Sequence, residues 1–219
     1  MINIIGTPEV AEYQSAQKIR TLIEAEWPDI GNSDRDHITI IVGAKCFGCS
    51  VQDIDLVIVG NLSKPRRLPP HPAFREPKFV LSFVWTVEVK SHSAHAIEFA
   101  GGKVLVPYGQ LKKDVSEQAF KQKNSLRDYM KRNIKKEPFC TDLIWLENAP
   151  ENIVPRIEFI NVLTGDSTWN DFLKSLTGAN QTWLQRDGNV LVQAFRGSIR
   201  DQYLAMQDVC NLMARRQQA

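Results

Sequence analysis

Two strand-like segments of this chain carry ionisable residues inside otherwise apolar runs. Residues 54–59 read Ile-Asp-Leu-Val-Ile-Val and contain Asp55, and residues 87–90 read Val-Glu-Val-Lys and contain Glu88 and Lys90. Burying a charge is costly unless a metal ion or an opposite charge compensates it. Because side chains alternate across a strand, Glu88 and Lys90 are predicted to share one face. The chain must therefore fold so that these charges meet one another or a cation.

An Asp, a Glu and a Lys that converge at strand ends are typical of a site that holds a divalent metal and activates water. Mg²⁺ prefers hard oxygen ligands, so Asp55 and Glu88 are the predicted ligands, with the backbone carbonyl of Val89 as a third. Such a metal lowers the pKa of a bound water and neutralises charge on a phosphate, and Lys90 would stabilise the transition state. The alternative is a solvated Glu88–Lys90 ion pair at an exposed strand end.

The hydrophobic periodicity predicts an α/β fold. Strict alternation over residues 79–90, apolar on both faces at its start, indicates a central strand. Strands that alternate with helices favour a mixed sheet flanked by helices. The predicted helices are 7–27, 116–136, 166–176 and one at the C-terminus; the predicted strands are 38–42, 54–60, 79–90, 141–146, 156–163 and 190–194, with a hairpin over 96–107 and a proline-rich loop over 63–78.

The length of 219 residues fits one sizeable domain with an appendage. We predict a domain over residues 1–180 and a C-terminal extension over 181–219 that ends in an amphipathic helix. The apolar stripe of that helix includes Tyr203, Met206 and Met213. It either docks a partner or packs on its own domain, and the second alternative is favoured.

Several classes of protein are disfavoured by composition. No run approaches the ~18–20 apolar residues of a transmembrane helix, and the N-terminus lacks the features of a signal peptide. We therefore expect a cytoplasmic protein that does not span a membrane and has no disulfides. Cys46 and Cys49 form a lone C-x-x-C. A zinc site would need two more ligands, such as His92 and His95, so two incidental thiols are the favoured interpretation.

Basic residues far outnumber acidic ones over residues 111–137, most of which are predicted to form a helix. A local positive surface suits a phosphate backbone, so Lys121, Lys123 and Arg127 are predicted to bind nucleic acid. Arg66 and Arg67, in the proline-rich loop, are a second candidate surface. The alternative is an ordinary solvated helix face.

Taken together, several segments resemble the nuclease-related domain, a branch of the PD-(D/E)XK superfamily, over roughly residues 10–178. The strongest matches are Gln-Asp-Ile-Asp-Leu-Val-Ile-Val at 52–59 and Trp-Thr-Val-Glu-Val-Lys-Ser at 85–91. A hairpin with Gly101 and Gly102, and the helix segment Glu-Gln-Ala-Phe-Lys-Gln-Lys-Asn-Ser-Leu at 117–126, follow them. Residues 145–150 and 161–164 look like the closing strands of the family.

The resemblance implies a restriction-endonuclease-like central mixed β-sheet flanked by helices, with a C-terminal helical tail. It also implies Asp55 and Glu88 as metal ligands, Lys90 as the catalytic lysine and Gln118 as a residue near the scissile phosphate. The family usually carries an acid on the first helix, about where Ala16 stands. Glu12 lies on the same predicted face and is either a substitute for that acid or a first-turn acid favourable to the helix dipole.

The function expected from this resemblance is a nuclease, dependent on Mg²⁺ or Mn²⁺, that hydrolyses phosphodiester bonds of DNA. It would act alone, or as a subunit or module of a bacterial DNA-processing or defence system with a helicase or ATPase partner. No G-x₄-G-K-[ST] loop is present, so the chain itself carries no such motor. The oligomeric state stays open, a homo-oligomer included. The competing interpretation is a catalytically inactive nuclease-fold module that binds nucleic acid or a protein partner.

Overall fold

An eight-stranded mixed sheet forms the centre of the computed structural model, which describes residues 1–33, 35–70, 77–155, 161–177, 182–186, 189–195 and 199–215. A separate antiparallel sheet of three strands lies between the fourth and eighth strands in the chain. The central strands are β1 (Ile2–Ile5), β2 (His37–Lys45), β3 (Asp53–Arg67), β4 (Lys78–Lys90), β8 (Cys140–Leu146), β9 (Val162–Thr164), β10 (Thr182–Arg186) and β11 (Asn189–Gln193), and the small sheet contains β5 (Glu98–Ala100), β6 (Lys103–Tyr108) and β7 (Leu111–Asp114). The α-helices are α1 (Ala11–Glu26), α2 (Val115–Ile134), α3 (Trp169–Lys174) and α4 (Ile199–Arg215).

The strand β4 is the centre of this sheet, as its alternating sequence predicts. It pairs with β3 in the antiparallel direction along most of its length. Its C-terminal half, from Val84 to Lys90, also pairs in parallel with β8. Its first three residues pair in parallel with β11. The preceding strand β3 and two strands from distant parts of the chain, β8 and β11, thus fix β4, and with it Glu88 and Lys90.

Helices cover the sheet on two faces, so the predicted α/β class with a flanked mixed sheet is confirmed. On one face, Ile19 and Ile23 of α1 and Phe172 of α3 belong to the same core as Trp85 and Val87 of β4. The core of the other face combines residues of α2 and α4 with the sheet; they include Val57, Val84, Leu126, Met130, Val209 and Met213. The neighbouring residues Val84 and Trp85 thus belong to the cores on opposite faces of the sheet, as expected for a strand that is buried on both sides.

Several element boundaries differ from those predicted. The strand β3 continues to Arg67 because residues beyond Asn61 still pair with β4 after an irregular stretch. Residues 71–76 of the predicted loop lie outside the described residues. The helix α1 begins at Ala11 and not near Thr7. The helix α2 begins at Val115, where the Asp114 side chain accepts from the Glu117 N–H at 3.1 Å. Residues 111–114 form a strand because they pair with β6. Residues 156–160 of a predicted strand also lie outside the described part.

The described residues of the predicted extension belong to the same sheet and core as the predicted domain. The strand β11 pairs with β4, and β10 pairs with β11. Met206, Val209 and Met213 of α4 are buried in the core on the α2 side of the sheet. The favoured interpretation, in which the C-terminal helix packs on its own domain, is confirmed. No helix within the described residues is long and apolar enough to cross a membrane.

Gly60 tests how closely the central sheet is packed. The Phe83 ring, opposite Gly60 on β4, lies 2.1 Å from the position a Cβ would take. Gly60→Ala should therefore lower the free energy of unfolding by about 1–3 kcal/mol through overpacking, measured by urea denaturation.

Gly31→Ala is the matched control, because nothing lies within 4 Å of its added Cβ. That variant should stay within about 0.5 kcal/mol of the wild type. Equal destabilisation of the two variants would contradict the proposed Gly60–Phe83 contact.

Candidate active site

Glu88 is a buried carboxylate held by two side chains. It is 0% exposed. Lys90 forms an ion pair with its Oε1, and the Gln122 Nε2 donates to its Oε2. The Lys90 side chain is only 17% exposed. The pair is therefore not the solvated ion pair of the alternative interpretation, but a charge pair inside the protein, where partners are needed to offset desolvation.

Asp55 joins this pair from the neighbouring strand. Its Oδ2 accepts from the Val89 N–H at 2.8 Å, and β3 and β4 pair through Leu56 and Val87 just beside it. Burial and the negative charge of Glu88 raise the pKa of Asp55 to about 6, against the lowering effects of the Val89 N–H and of Lys90. The two carboxylates therefore share one electrostatic environment.

The first helix also brings an acid towards this site. Glu12, near the start of α1, adds a further negative charge that raises the pKa of Asp55. Glu12 is partly buried. This burial agrees with both interpretations given above, an acid that belongs to the site and an acid that only favours the helix dipole. Its participation stays a prediction.

The donor set agrees with the chemistry of Mg²⁺ or Mn²⁺. Asp55 and Glu88 supply carboxylate oxygens and Val89 a backbone carbonyl, which accepts from the Lys90 Nζ at 3.2 Å. The Gln122 Oε1 is buried without a hydrogen-bond partner among the described residues, and a buried acceptor of this kind suits a water. The described part of the chain contains no group of three or more His, Cys, Asp or Glu side chains arranged for a metal. Any ion here would depend on two carboxylates, a carbonyl and water, a combination that Mg²⁺ accepts.

Gln122 is a site residue that the sequence prediction missed. The predicted Gln118 lies on the same helix one turn earlier, and its Oε1 is also buried without a hydrogen-bond partner in the described part of the chain. Residues four apart share a helix face, so the spacing of the two glutamines on α2 was the available signal. Gln122 contacts Glu88, whereas no such contact is observed for Gln118.

The predicted nucleic-acid contacts on α2 all have acidic partners. These ion pairs are Lys121 with Glu117, Lys123 with Asp142 and Arg127 with Glu137. Lys121 and Arg127 are exposed enough for solvent to weaken such pairs. Lys123 is more buried, at 17% exposure of its side chain.

Arg66 and Arg67 lie near the opposite end of β3 from Asp55. Arg66 binds Asp29 through two hydrogen bonds of 2.9 and 2.7 Å and lies over the Trp27 ring at 4.8 Å. At about 3.3 Å per residue, Arg66 is roughly 30 Å or more from Asp55 along the strand. The structure does not bring this second candidate surface to the carboxylates.

Cys46 and Cys49 do not gather a zinc site in the described part of the chain. Both thiols are free. The Arg132 side chain donates to the Cys49 Sγ, which itself donates to the Ser125 carbonyl at 3.3 Å. The interpretation as incidental thiols agrees with these contacts.

Comparison with known proteins adds no relatives: no protein family, curated protein or solved structure matches the chain. The resemblance to the nuclease-related domain stays a prediction that rests on the quoted residues.

The raised pKa of Asp55 predicts a stability change of definite sign. Between about pH 4 and 6 the folded protein holds a proton on Asp55 that the unfolded chain has lost, so the contribution of Asp55 to stability falls as the pH rises. Asp55→Asn keeps an acceptor for the Val89 N–H but removes the charge. In EDTA at pH 8, it should be more stable than the wild type by up to about 3 kcal/mol, measured by urea denaturation.

This gain should disappear below about pH 4, where Asp55 is protonated in both states. Asp53→Asn is the control, since the Asp53 side chain is 69% exposed and pairs with Lys45 at the surface. It should change stability by no more than about 0.5 kcal/mol. A gain in the control equal to that of Asp55→Asn would contradict the assigned cause.

Proposed function

We propose that the chain is a metal-dependent nuclease of restriction-endonuclease-like architecture that hydrolyses phosphodiester bonds, with DNA as its substrate. The proposal rests above all on one observation. Asp55 and Glu88 converge from adjacent strands at a place where Lys90 is already bound to Glu88. Buried carboxylates that share an electrostatic environment are more typical of functional sites than of ordinary surface ion pairs.

In the proposed reaction, Asp55, Glu88 and the Val89 carbonyl would hold Mg²⁺ or Mn²⁺. The chemistry that a bound ion supplies there is a lower pKa for a coordinated water and neutralisation of phosphate charge. The oxygen of a water attacks phosphorus and the water gives up a proton to solvent. The bond to the leaving sugar oxygen breaks and that oxygen takes a proton from solvent, so that one water is added in all. The surrounding chain would hold these groups in position and limit competition from bulk water.

Lys90 and Gln122 have distinct proposed roles. The Lys90 Nζ lies between Glu88 Oε1 and the Val89 carbonyl oxygen. It has three donors, so it can also donate to a phosphate oxygen as negative charge develops. Gln122 holds the other oxygen of Glu88 and fixes the orientation of the carboxylate. Gln122 is therefore a positioning residue in this proposal, and Lys90 the catalytic one.

Substitution of the site residues should strongly reduce cleavage. Asp55→Ala, Glu88→Gln and Lys90→Ala should each reduce metal-dependent cleavage of DNA by roughly 100-fold or more, since metal ligation and transition-state charge depend on these groups. Cleavage of a fluorescently labelled DNA would be measured with Mg²⁺, Mn²⁺ and EDTA, with circular dichroism to verify folding.

Asp53→Ala is the matched control for this series. Asp53 lies two residues before Asp55 on the same strand, but its side chain is mostly exposed. It should keep measurable cleavage. Full activity of any of the three site variants, or a larger loss in Asp53→Ala than in Asp55→Ala, would contradict the proposed site.

Substitutions on α2 should weaken DNA binding, whereas Lys90→Ala on β4 should stop the reaction without weakening binding. Ala at Lys121, Lys123 and Arg127 should weaken DNA binding across unrelated sequences, because a helix without a base-reading pattern contacts phosphates. It should also flatten the salt dependence of log K by up to about 0.9 for each phosphate that the variant no longer binds. Lys90→Ala should leave affinity nearly unchanged. Both would be followed by fluorescence anisotropy over a salt series with Ca²⁺ replacing Mg²⁺.

If the triple variant binds DNA as tightly as the wild type at every salt concentration, the three basic side chains serve only their ion pairs within the protein. Such a result would move the proposed DNA contact elsewhere, without touching the catalytic proposal.

The second candidate function is a nuclease-fold module without turnover that binds nucleic acid or a protein partner. The observation that favours it is the engagement of both Glu88 oxygens, by Lys90 and Gln122. A wild-type protein that binds DNA but cleaves neither DNA nor RNA with Mg²⁺ or Mn²⁺ would support this module over the enzyme. Cleavage that EDTA abolishes would support the enzyme.

A further inference from the structure

The turn between β6 and β7 carries two large apolar side chains that are unusually exposed. Tyr108 is 72% exposed and Leu111 is 75% exposed. They are cross-strand partners on either side of a two-residue turn that Gly109 enters with φ +62°. Large exposed apolar side chains clustered at one point often mark an interaction site.

This turn stands on a firmly packed base. Val104 and Val106 of β6 are buried against Val115 and Ala119 of α2 and against Leu146 of β8. The tip is therefore held by the core, whereas its last residues remain in solvent. An interaction at the tip would need little ordering of the protein, which favours affinity.

Positive charge accompanies the tip. The Lys113 Nζ lies over the Tyr108 ring at 5.7 Å. Lys112 pairs with Glu98 in an exposed ion pair, whereas Lys103 pairs with Asp114, whose side chain is only 15% exposed. The exposed Lys112–Glu98 pair contributes little stability, so Lys112 remains available to exchange a carboxylate for a phosphate.

The same combination recurs at the start of α2. Phe120 is 53% exposed, and the Lys123 Nζ lies over its ring at 4.8 Å. The strand β7 runs directly into α2, so about 20 Å of backbone separates Leu111 from Phe120. Gln122, two residues after Phe120, contacts Glu88 from the buried side of the same helix. Two aromatic–lysine pairs thus lie on the segment that leads to the proposed catalytic carboxylates.

We propose that Tyr108 and Phe120 stack on unpaired bases of single-stranded nucleic acid, with Leu111 beside them and the neighbouring lysines on the phosphates. Exposed aromatic rings combined with cations are the usual platform for single strands, because every base has a face on which to stack. Bases inside a duplex are already stacked on each other and do not offer that face. The proposal rests on the proposed function only for its substrate class: it assigns a single strand, or a single-stranded end, to the same site.

Binding is tested without cleavage, in EDTA. A labelled single-stranded oligonucleotide and the corresponding duplex are titrated with the wild-type protein, Tyr108→Ala, Phe120→Ala and Tyr108→Phe, and followed by fluorescence anisotropy. Phe47→Ala is the control for loss of an aromatic side chain, since Phe47 is similarly exposed at 48% on another loop. A strand that contains 2-aminopurine reports stacking through the quenching of its fluorescence.

Each alanine variant should bind the single strand roughly five- to 100-fold more weakly than the wild type and quench 2-aminopurine less. Tyr108→Phe and Phe47→Ala should stay within about twofold of the wild type, by the same stacking argument. Duplex binding should change much less. Unchanged single-strand affinity in both alanine variants, or an equal loss on single strand and duplex, would overturn the proposal. The tip could instead mediate self-association, in which case sedimentation would show a change of mass in Tyr108→Ala while single-strand affinity stays unchanged. That result would also overturn the proposal.

Cleavage by the wild type distinguishes this proposal from the proposed function. If the single strand binds through Tyr108 but is never cut with Mg²⁺ or Mn²⁺, the stacking surface stands and the catalytic proposal fails. If cleavage occurs and both alanine variants bind normally, the catalytic proposal stands and the stacking surface fails.

Discussion

The compensation of one buried negative charge organises the middle of this protein. Glu88 is completely buried, and it is tolerated there because Lys90 and Gln122 occupy its two oxygens. The lysine comes from the same strand and the glutamine from α2. A carboxylate in an apolar interior without such partners would cost several kcal/mol. The position of α2 against β4 is therefore an electrostatic requirement as well as a packing one.

Asp55, in contrast, has only part of its negative charge compensated. Its Oδ2 has one backbone donor, from Val89, and it faces the negative charge of Glu88 with Lys90 as the opposing cation. A carboxyl group whose pKa is near 6 is held in an unfavourable ionised state at neutral pH. Natural proteins commonly accept such a local cost where a cation or a reaction relieves it. Stability alone gives no reason for an acid at position 55, and this is the physical content of the functional proposal.

The sequence was most informative where a pattern was strict. The alternation over residues 79–90 predicted a central strand and the shared face of Glu88 and Lys90, since these follow from backbone geometry alone. The helix predicted over 116–136 corresponds to α2, whose start differs from the prediction by one residue and whose end by two. Local sequence patterns were thus enough to predict the strand and the helix that carry most of the candidate site. The class of fold is confirmed only as α/β with a flanked mixed sheet.

Other features depended on long-range pairing, which no local pattern contains. The four residues of β1 become a strand because they pair with β2, and the strand β3 extends past Asn61 because β4 lies beside it. Gln122 was missed for a similar reason: its neighbour Gln118 has the same residue type and helix face, and only the approach of Glu88 distinguishes them.

The pairing of β11 with the first residues of β4 has a consequence for the order in which the chain can assemble. The strand β4 is synthesised early, but part of its edge waits for a segment more than a hundred residues later in the chain. Contacts of such high sequence separation slow folding, and an edge that waits unpaired is open to other chains. A fragment that ended at residue 180 would keep this edge bare and lack the α4 side chains that cover β2 and β3. The segment after residue 180 therefore covers an edge and a face of the sheet that stay exposed until it is synthesised.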